Sequence, residues 1–427
     1  MESPVEHVQA CLDRSAEVAD ALAIAYVARR DEDALAEAGV VDPTLPMAGD
    51  VLVVKACFDV AGWTTHAGSA VLRNAPPALA DAPLVQAVRA AGAILVAQTN
   101  MTEFAYGALG LNATFGTPTT PLCPGEDRVS GGSTSGGAVA VALGAADIAL
   151  GSDTSGSIRI PAAFCGESGF KPSQGRYSAD GLIPLAVSFD APGFIAAGVT
   201  HLRRIDAALV GRSGAPVDDS GSLRGRRFLV PRDAIDAGDT DSAVIDRFAA
   251  WVAALTVAGA EIIEQDMPML VEACLAARAG WTIAVEAYDW HRDLVATELD
   301  RYDTRVGPRI MMGASVLAAD YVAAMRIIRD CRGRCDEAMR DFDVVLTPTV
   351  PILPPRVADV QTMESYLAMN TEVLRLTEIA NRLDLPSVSL PGRRDERGPI
   401  GLMLTGRRGD DAGILDLAVT IEQHLAR

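Results

Sequence analysis

Apolar residues fall along this chain in two alternating rhythms. Short unbroken runs of strand length, such as "VLVVK" at 51–55, give way to longer stretches with apolar positions every three or four residues. Residues 1–45 follow the helical rhythm and close with the polar turn "VVDPTLP". "APLVQAVRAAGAILVAQTN" predicts a helix, a stop at Gly92 and a buried strand over 93–97. "TSGGAVAVALGAA" predicts a close-packing helix of small residues, and "DIALG" a strand. The strand "RRFLVP", a helix near 241–259 and the strand "AEIIEQ" repeat the alternation. A long helical region over about 268–341 leads into "DVVLTPT". A helix over 371–384, the strands "PSVSLP" and "PIGLMLTG", and a helix over 411–426 follow. Buried strands alternating with helices predict an α/β protein. No internal repeat or low-complexity linker breaks the pattern, and 211–226, "GRSGAPVDDSGSLRGR", reads as an exposed connection.

At 427 residues, 49% hydrophobic and 22% charged, the chain has the composition of a globular protein with a sizeable core. Its net charge of −19 argues against nucleic acid or an anionic membrane as partner, since either wants a basic face. The start carries no basic, then apolar, leader, and no apolar run is long enough to span a bilayer. Seven scattered cysteines suit a reducing compartment, so a cytoplasmic location is expected. Cys331 and Cys335 lie four apart on a predicted helix, but no second Cys/His pair accompanies them, and they read as ordinary helix residues. The four tryptophans likewise read as packing residues, and nothing in the pattern calls for a metal or a cofactor. One compositional fact changes the picture. Lysine occurs only at Lys55 and Lys171, and every other basic residue among the 37 is arginine. A chain that uses arginine wherever a surface cation serves keeps lysine for work arginine cannot do, such as becoming a neutral amine.

The stretch "GGSTSGGAVAVALGAADIALGSDTSGSIR", 131–159, sets two Ser/Gly-dense patches on either side of a small-residue helix. A phosphate-binding loop is excluded, because neither lysine follows a glycine and no G-x-G-x-x-G opens a helix. Ser133 stands where a helix N-cap is favoured. A nucleophilic serine, in contrast, needs a base and oxyanion donors. None of the five histidines lies in a triad motif, and neither G-x-S-x-G nor His-Glu-x-x-His occurs. "SGFK" at 168–171 matches Ser-x-x-Lys, but Pro172 follows at once and no Lys-Thr-Gly accompanies it, so the match reads as chance. Lysine is then the available base, and Lys55, at a strand end, is the better placed of the two.

The segments "VLVVKACFDVAGWTTHAGS", "AQTNMTEFAYG", "RVSGGSTSGGAVAVALG" and "LGSDTSGSIRIPAAFCGESGFKPSQGRYS", with weaker echoes in "LTPTVPILPP" and "GPIGLMLTG", resemble the amidase signature hydrolases from about residue 46 onward. The resemblance implies a single large domain, 46–427, built on a twisted mixed β-sheet with helices on both faces. The helical segment 1–45 would pack on that domain. A variable, largely helical region at about 200–340 would form the substrate pocket. It implies Lys55 as catalytic base, Ser133 as the serine that follows a non-proline cis peptide and bridges base to nucleophile, and Ser157 as nucleophile. Backbone N–H groups of Thr154, Ser155, Gly156 and Ser157 would form the oxyanion hole. Asp153 and Arg159 would support the loop, and Tyr106 would line the acyl pocket. The implied reaction is cofactor-free cleavage of the C–N bond of a small carboxylic amide through an acyl-enzyme. The rivals are the A subunit of a glutamine-dependent tRNA amidotransferase and a catalytically silent binding or scaffold protein. A homodimer stays open, dimers being common in the family. Departures are Ala56 and Cys57, where many members carry Asp-Asn, and Ser155, where the family commonly carries glycine.

Overall fold

The computed structural model describes residues 3–211, 222–392 and 397–425. Of the predicted connection at 211–226, residues 212–221 therefore lie outside the described residues. Among the described residues the chain forms eleven strands of one sheet. In chain order these are β1 (Tyr26–Arg29), β2 (Val51–Lys55), β3 (Ile94–Thr99), β4 (Ile148–Asp153), β5 (Ser168–Lys171) and β6 (Ala191–Ala196). They continue with β7 (Arg227–Pro231), β8 (Glu261–Gln265), β9 (Val344–Pro348), β10 (Ser387–Pro391) and β11 (Gly401–Thr405). Their order across the sheet is β1-β3-β2-β4-β6-β5-β10-β11-β9-β7-β8. The β3-β2-β4 and β9-β7-β8 groups are parallel, and antiparallel pairs join them through the middle, so the sheet is mixed.

The unbroken apolar runs become strands because both sheet faces are covered. Side chains alternate between faces along a strand. In β2, Leu52 and Val54 enter one core cluster, with Leu84, Val85 and Val88 of the helix Pro83–Ala90 and Leu415 of Asp411–Leu425. Val51 and Val53 enter a second, with Val8 and Leu12 of the helix Pro4–Glu17 and Val139 of Ser135–Ala142. The result is a single α/β domain with a large mixed sheet between helices.

Several elements differ from the periodicity. Within 1–45, residues 26–29 are not helical: Tyr26 and Val27 favour strand, and β1 closes the sheet edge against β3. The long region at 268–341 divides into Pro268–Ala279, Thr282–Glu298, Gly307–Met312 and Ala318–Ala338. The helix expected at 371–384 is two, Met363–Leu374 and Glu378–Arg382, and the break frees Thr377 to bond the Ser155 carbonyl. β6 went unpredicted because "APG" is a turn signal, yet β4 pairs with Pro192 and Gly193 and β5 with the residues that follow, which holds the segment in the ladder. Ser168 and Lys171 share strand β5, where positions three apart point to opposite faces, so the Ser-x-x-Lys match builds no site. No single helix among the described residues is long and apolar enough to cross a membrane.

Candidate active site

Parallel β2 and β4 bring their carboxyl ends to one edge of the sheet, where α/β proteins build their sites. Lys55 ends β2, and Ser152 and Asp153 end β4. Each patch of the Ser/Gly stretch then leads into a helix, Ser135–Ala142 after the first and Arg159–Cys165 after the second. Glycine lets the first helix sit tightly on the sheet: a Cβ on Gly136 would lie 2.3 Å from the Ala25 carbonyl oxygen, and one on Gly137 2.9 Å from Ala149 Cβ.

Ser133 is not the cap of that helix. Thr134 is the N-cap residue, without a side-chain capping bond, and the Gly132–Ser133 peptide is cis. The Ser133 hydroxyl instead meets Lys55, whose Nζ lies 2.8 Å from Ser133 Oγ, 2.9 Å from Ser152 Oγ and 3.3 Å from the Ser152 carbonyl. Lys55 and Ser133 are both 0% exposed. Burial drives the Lys55 pKa below its ordinary 10.5, against the pull of Cys57, Asp153 and Asp190. Lys55 Nζ donates to all three acceptors, the Ser133 hydroxyl, the Ser152 hydroxyl and the Ser152 carbonyl.

Ser157 lies in the next loop, and the Thr134 N–H donates to its carbonyl at 3.2 Å, tying the two serine segments together. Its hydroxyl holds no hydrogen bond among the described residues. Asp153 holds the loop in shape. Its carboxylate accepts from Gly156 N–H at 2.7 Å, Ile158 N–H at 3.1 Å, Arg159 Nη2 at 2.9 Å and Asn381 Nδ2 at 2.9 Å. Burial raises the Asp153 pKa; the fully buried Arg159 guanidinium, Lys171 and the Asn381 amide together outweigh it and leave the carboxyl at about 2. Gly156 N–H is thus committed to Asp153. The N–H groups of Thr154, Ser155 and Ser157 have no acceptor among the described residues. One buried loop thus carries three amide N–H groups without an acceptor. Gly156 makes the loop possible: it adopts φ +136°, and a Cβ there would fall 2.2 Å from Thr377 Oγ1.

Periodicity did not point to the residues that brace this loop from outside. Thr377 Oγ1 donates to the Ser155 carbonyl at 2.7 Å, and Arg382 Nη2 to Ser155 Oγ at 2.8 Å. Asn381 and Arg382 lie on a short helix with Glu378, and that polar spacing of three and four residues was the available signal. Asp190 accepts from Thr154 Oγ1 at 2.5 Å, and burial pushes its pKa up to about 6. A cavity of about 410 Å³ opens at Ser155. Its wall includes Tyr106, Arg309 and several residues from 277 to 284, and also residues of 367–382, beyond the expected 200–340 stretch. Trp281, expected in packing, is 45% exposed on that wall.

The family model described as Amidase matches residues 6–415. This chain belongs to the amidase family. It is 34% identical to 2-amino-5-chloromuconic acid deaminase of Comamonas testosteroni, over 88% of this chain and 82% of that one. It is 33% identical to the A subunit of glutamyl-tRNA(Gln) amidotransferase from Thermus thermophilus, over 100% of this chain and 94% of that one. A crystal structure of an amidase superposes with a TM-score of 0.88 at 30% identity, covering 99% of this chain and 96% of the other. Family membership makes the protein an amidohydrolase, an enzyme that cleaves carbon–nitrogen bonds of amides.

Proposed function

We propose that this amidase hydrolyses a small carboxylic amide through a Ser157–Ser133–Lys55 relay and an acyl-enzyme. The observation that carries the reading is the fully buried Lys55 amine held 2.8 Å from Ser133 Oγ beside a loop with three open amide donors. As substrate enters, the unbonded Ser157 hydroxyl turns onto Ser133 Oγ; catalytic hydrogen bonds in empty sites are often loose and tighten on binding. Lys55 takes a proton from Ser133, which takes one from Ser157, and Ser157 Oγ attacks the amide carbon. The developing oxyanion accepts from the N–H groups of Thr154, Ser155 and Ser157. The role first expected of Gly156 N–H passes to these neighbours, because Asp153 already holds it. Lys55 returns the proton through Ser133 to the leaving nitrogen as the C–N bond breaks. Water, activated by the same relay, then hydrolyses the ester at Ser157. Asp153 and Arg159 act on the loop's shape and take no proton in this scheme.

The test is amide hydrolysis by Lys55→Arg together with fluorophosphonate labelling of Ser157. Arginine stays protonated and cannot serve as base, so activity should fall by at least about a hundredfold, the scale of a lost general base. Substantial activity in the variant would remove the lysine role, and an unreactive Ser157 in the native protein would favour a silent scaffold. Full-length similarity to one chain of an amidotransferase makes glutamine a necessary substrate in the panel. Ammonia released from glutamine only when a partner protein is added would mark that activity instead.

A further inference from the structure

The cavity that opens at Ser155 has an unusual charge balance for this chain. Its wall carries three guanidinium groups, Arg278, Arg309 and Arg382, and one carboxylate, Glu378, in a protein whose net charge is −19. Glu378 is already shared, pairing with Arg278 and lying 3.4 Å from Arg382 Nη2. Arg382 is spent on the loop: Nη1 donates to the Thr154 carbonyl at 3.2 Å and Nη2 to Ser155 Oγ. Its Nε is buried and without an acceptor.

Arg309 differs from both. It is half-buried, and no carboxylate pairs with it among the described residues. The nearby Asp303 is occupied by Arg305 at 2.6 Å. Arg309 is nevertheless held in place: Nη1 donates to the Tyr106 carbonyl at 3.0 Å, and the guanidinium lies 3.9 Å over the Tyr106 ring. Its other side-chain partner is the Tyr366 hydroxyl, which is uncharged, so the charge of this stacked guanidinium is left without a carboxylate to pair with. The wall that holds Arg309 and Ser155 also carries the apolar side chains of Ile283, Ala284 and Leu374. It suits a short carbon spacer.

We propose that the pocket selects amides bearing a distal carboxylate, with Arg309 as the residue that anchors it and so determines specificity. The inference rests on the amidohydrolase reading of the Ser157 site. The reaction is then water plus a carboxylate-bearing primary amide giving a dicarboxylate and ammonium: one C–N bond breaks, one C–O bond forms, and the nitrogen leaves with the protons it gains.

Binding to the Ser157→Ala protein tests this independently of turnover. Isothermal titration with succinamate and with butyramide, which replaces the carboxylate by a methyl group, should show succinamate tighter by about ten- to a hundredfold, the worth of a hydrogen bond to a charged group. In Arg309→Gln that ratio should fall close to one, and Arg309→Lys should restore part of it. Equal affinity for the two in the parent would overturn the proposal. So would an unchanged ratio in Arg309→Gln, or no binding by succinamate, malonamate or glutaramate. If Arg309 merely clamps Tyr106, Arg309→Gln weakens both ligands alike and leaves the ratio intact. Fluorophosphonate labelling of Ser157 in the native enzyme reports on the catalytic reading separately, since it needs no carboxylate.

Discussion

Replacing Asp153 tests how the structure holds its nucleophile loop. The carboxylate is fully buried, as is Arg159, and it also collects the N–H groups of Gly156 and Ile158 and the Asn381 amide. Asp153→Ala strands a buried guanidinium, a change that costs about 3–5 kcal/mol. Asp153→Asn keeps the shape and one acceptor but loses the charge. Its cost follows from the shift of the carboxyl from 3.8 to about 2. At about 1.4 kcal/mol per unit, that is roughly 2–3 kcal/mol at neutral pH. The sign is fixed by the direction. A depressed carboxyl contributes stability above its unfolded value, and that stability is lost as pH falls through the folded one. Wild type and Asp153→Asn should therefore differ at pH 7 and converge as pH falls from 3.8 to about 2. Urea midpoints followed by circular dichroism across that range read the difference directly. An Asn variant within about 0.5 kcal/mol of wild type at pH 7, the size of an ordinary surface change, would refute the reasoning. So would a gap that does not change with pH.

Other expectations concern the site itself. In the proposed relay Lys55 acts as a neutral amine, and burial lowers its pKa from 10.5, so kcat/KM should fall on the acid side with a single limb below that value. A limb that rises with acidity would contradict a neutral base. Ser152→Ala removes the acceptor 2.9 Å from Lys55 Nζ and should lower kcat about tenfold while shifting that limb. A limb that stays in place would show that Ser152 does not orient the amine. Gly156→Ala forces a side chain into φ +136° and against Thr377, so fluorophosphonate labelling should become slow beyond any loss of folded protein. Native labelling rates in that variant would mean the loop is freer than its contacts indicate.

The chain's own pattern determined the strand–helix alternation, and the rarity of lysine and the Ser/Gly patches marked Lys55 and the stretch 131–159, within which the resemblance to the amidase signature hydrolases singled out Ser133 and Ser157. These are local signals: an apolar run of strand length reads as a buried strand wherever it pairs, and two lysines among so many arginines can be counted. Tertiary structure alone decided what each group touches. The cap reading of Ser133 ended only when Lys55, 78 positions away, came to rest 2.8 Å from its hydroxyl. The Gly156 N–H donates to Asp153, a contact that no spacing rule foretells. β6 formed through a Pro-Gly pair because strands on both sides supply what local propensity withholds. The braces Thr377 and Arg382 reach the loop from more than two hundred residues away, and Arg309 reaches Tyr106 across a similar gap. Periodicity reports which face of an element is dry. It carries no record of which distant element will cover that face, and the chemistry of this site lies in those meetings.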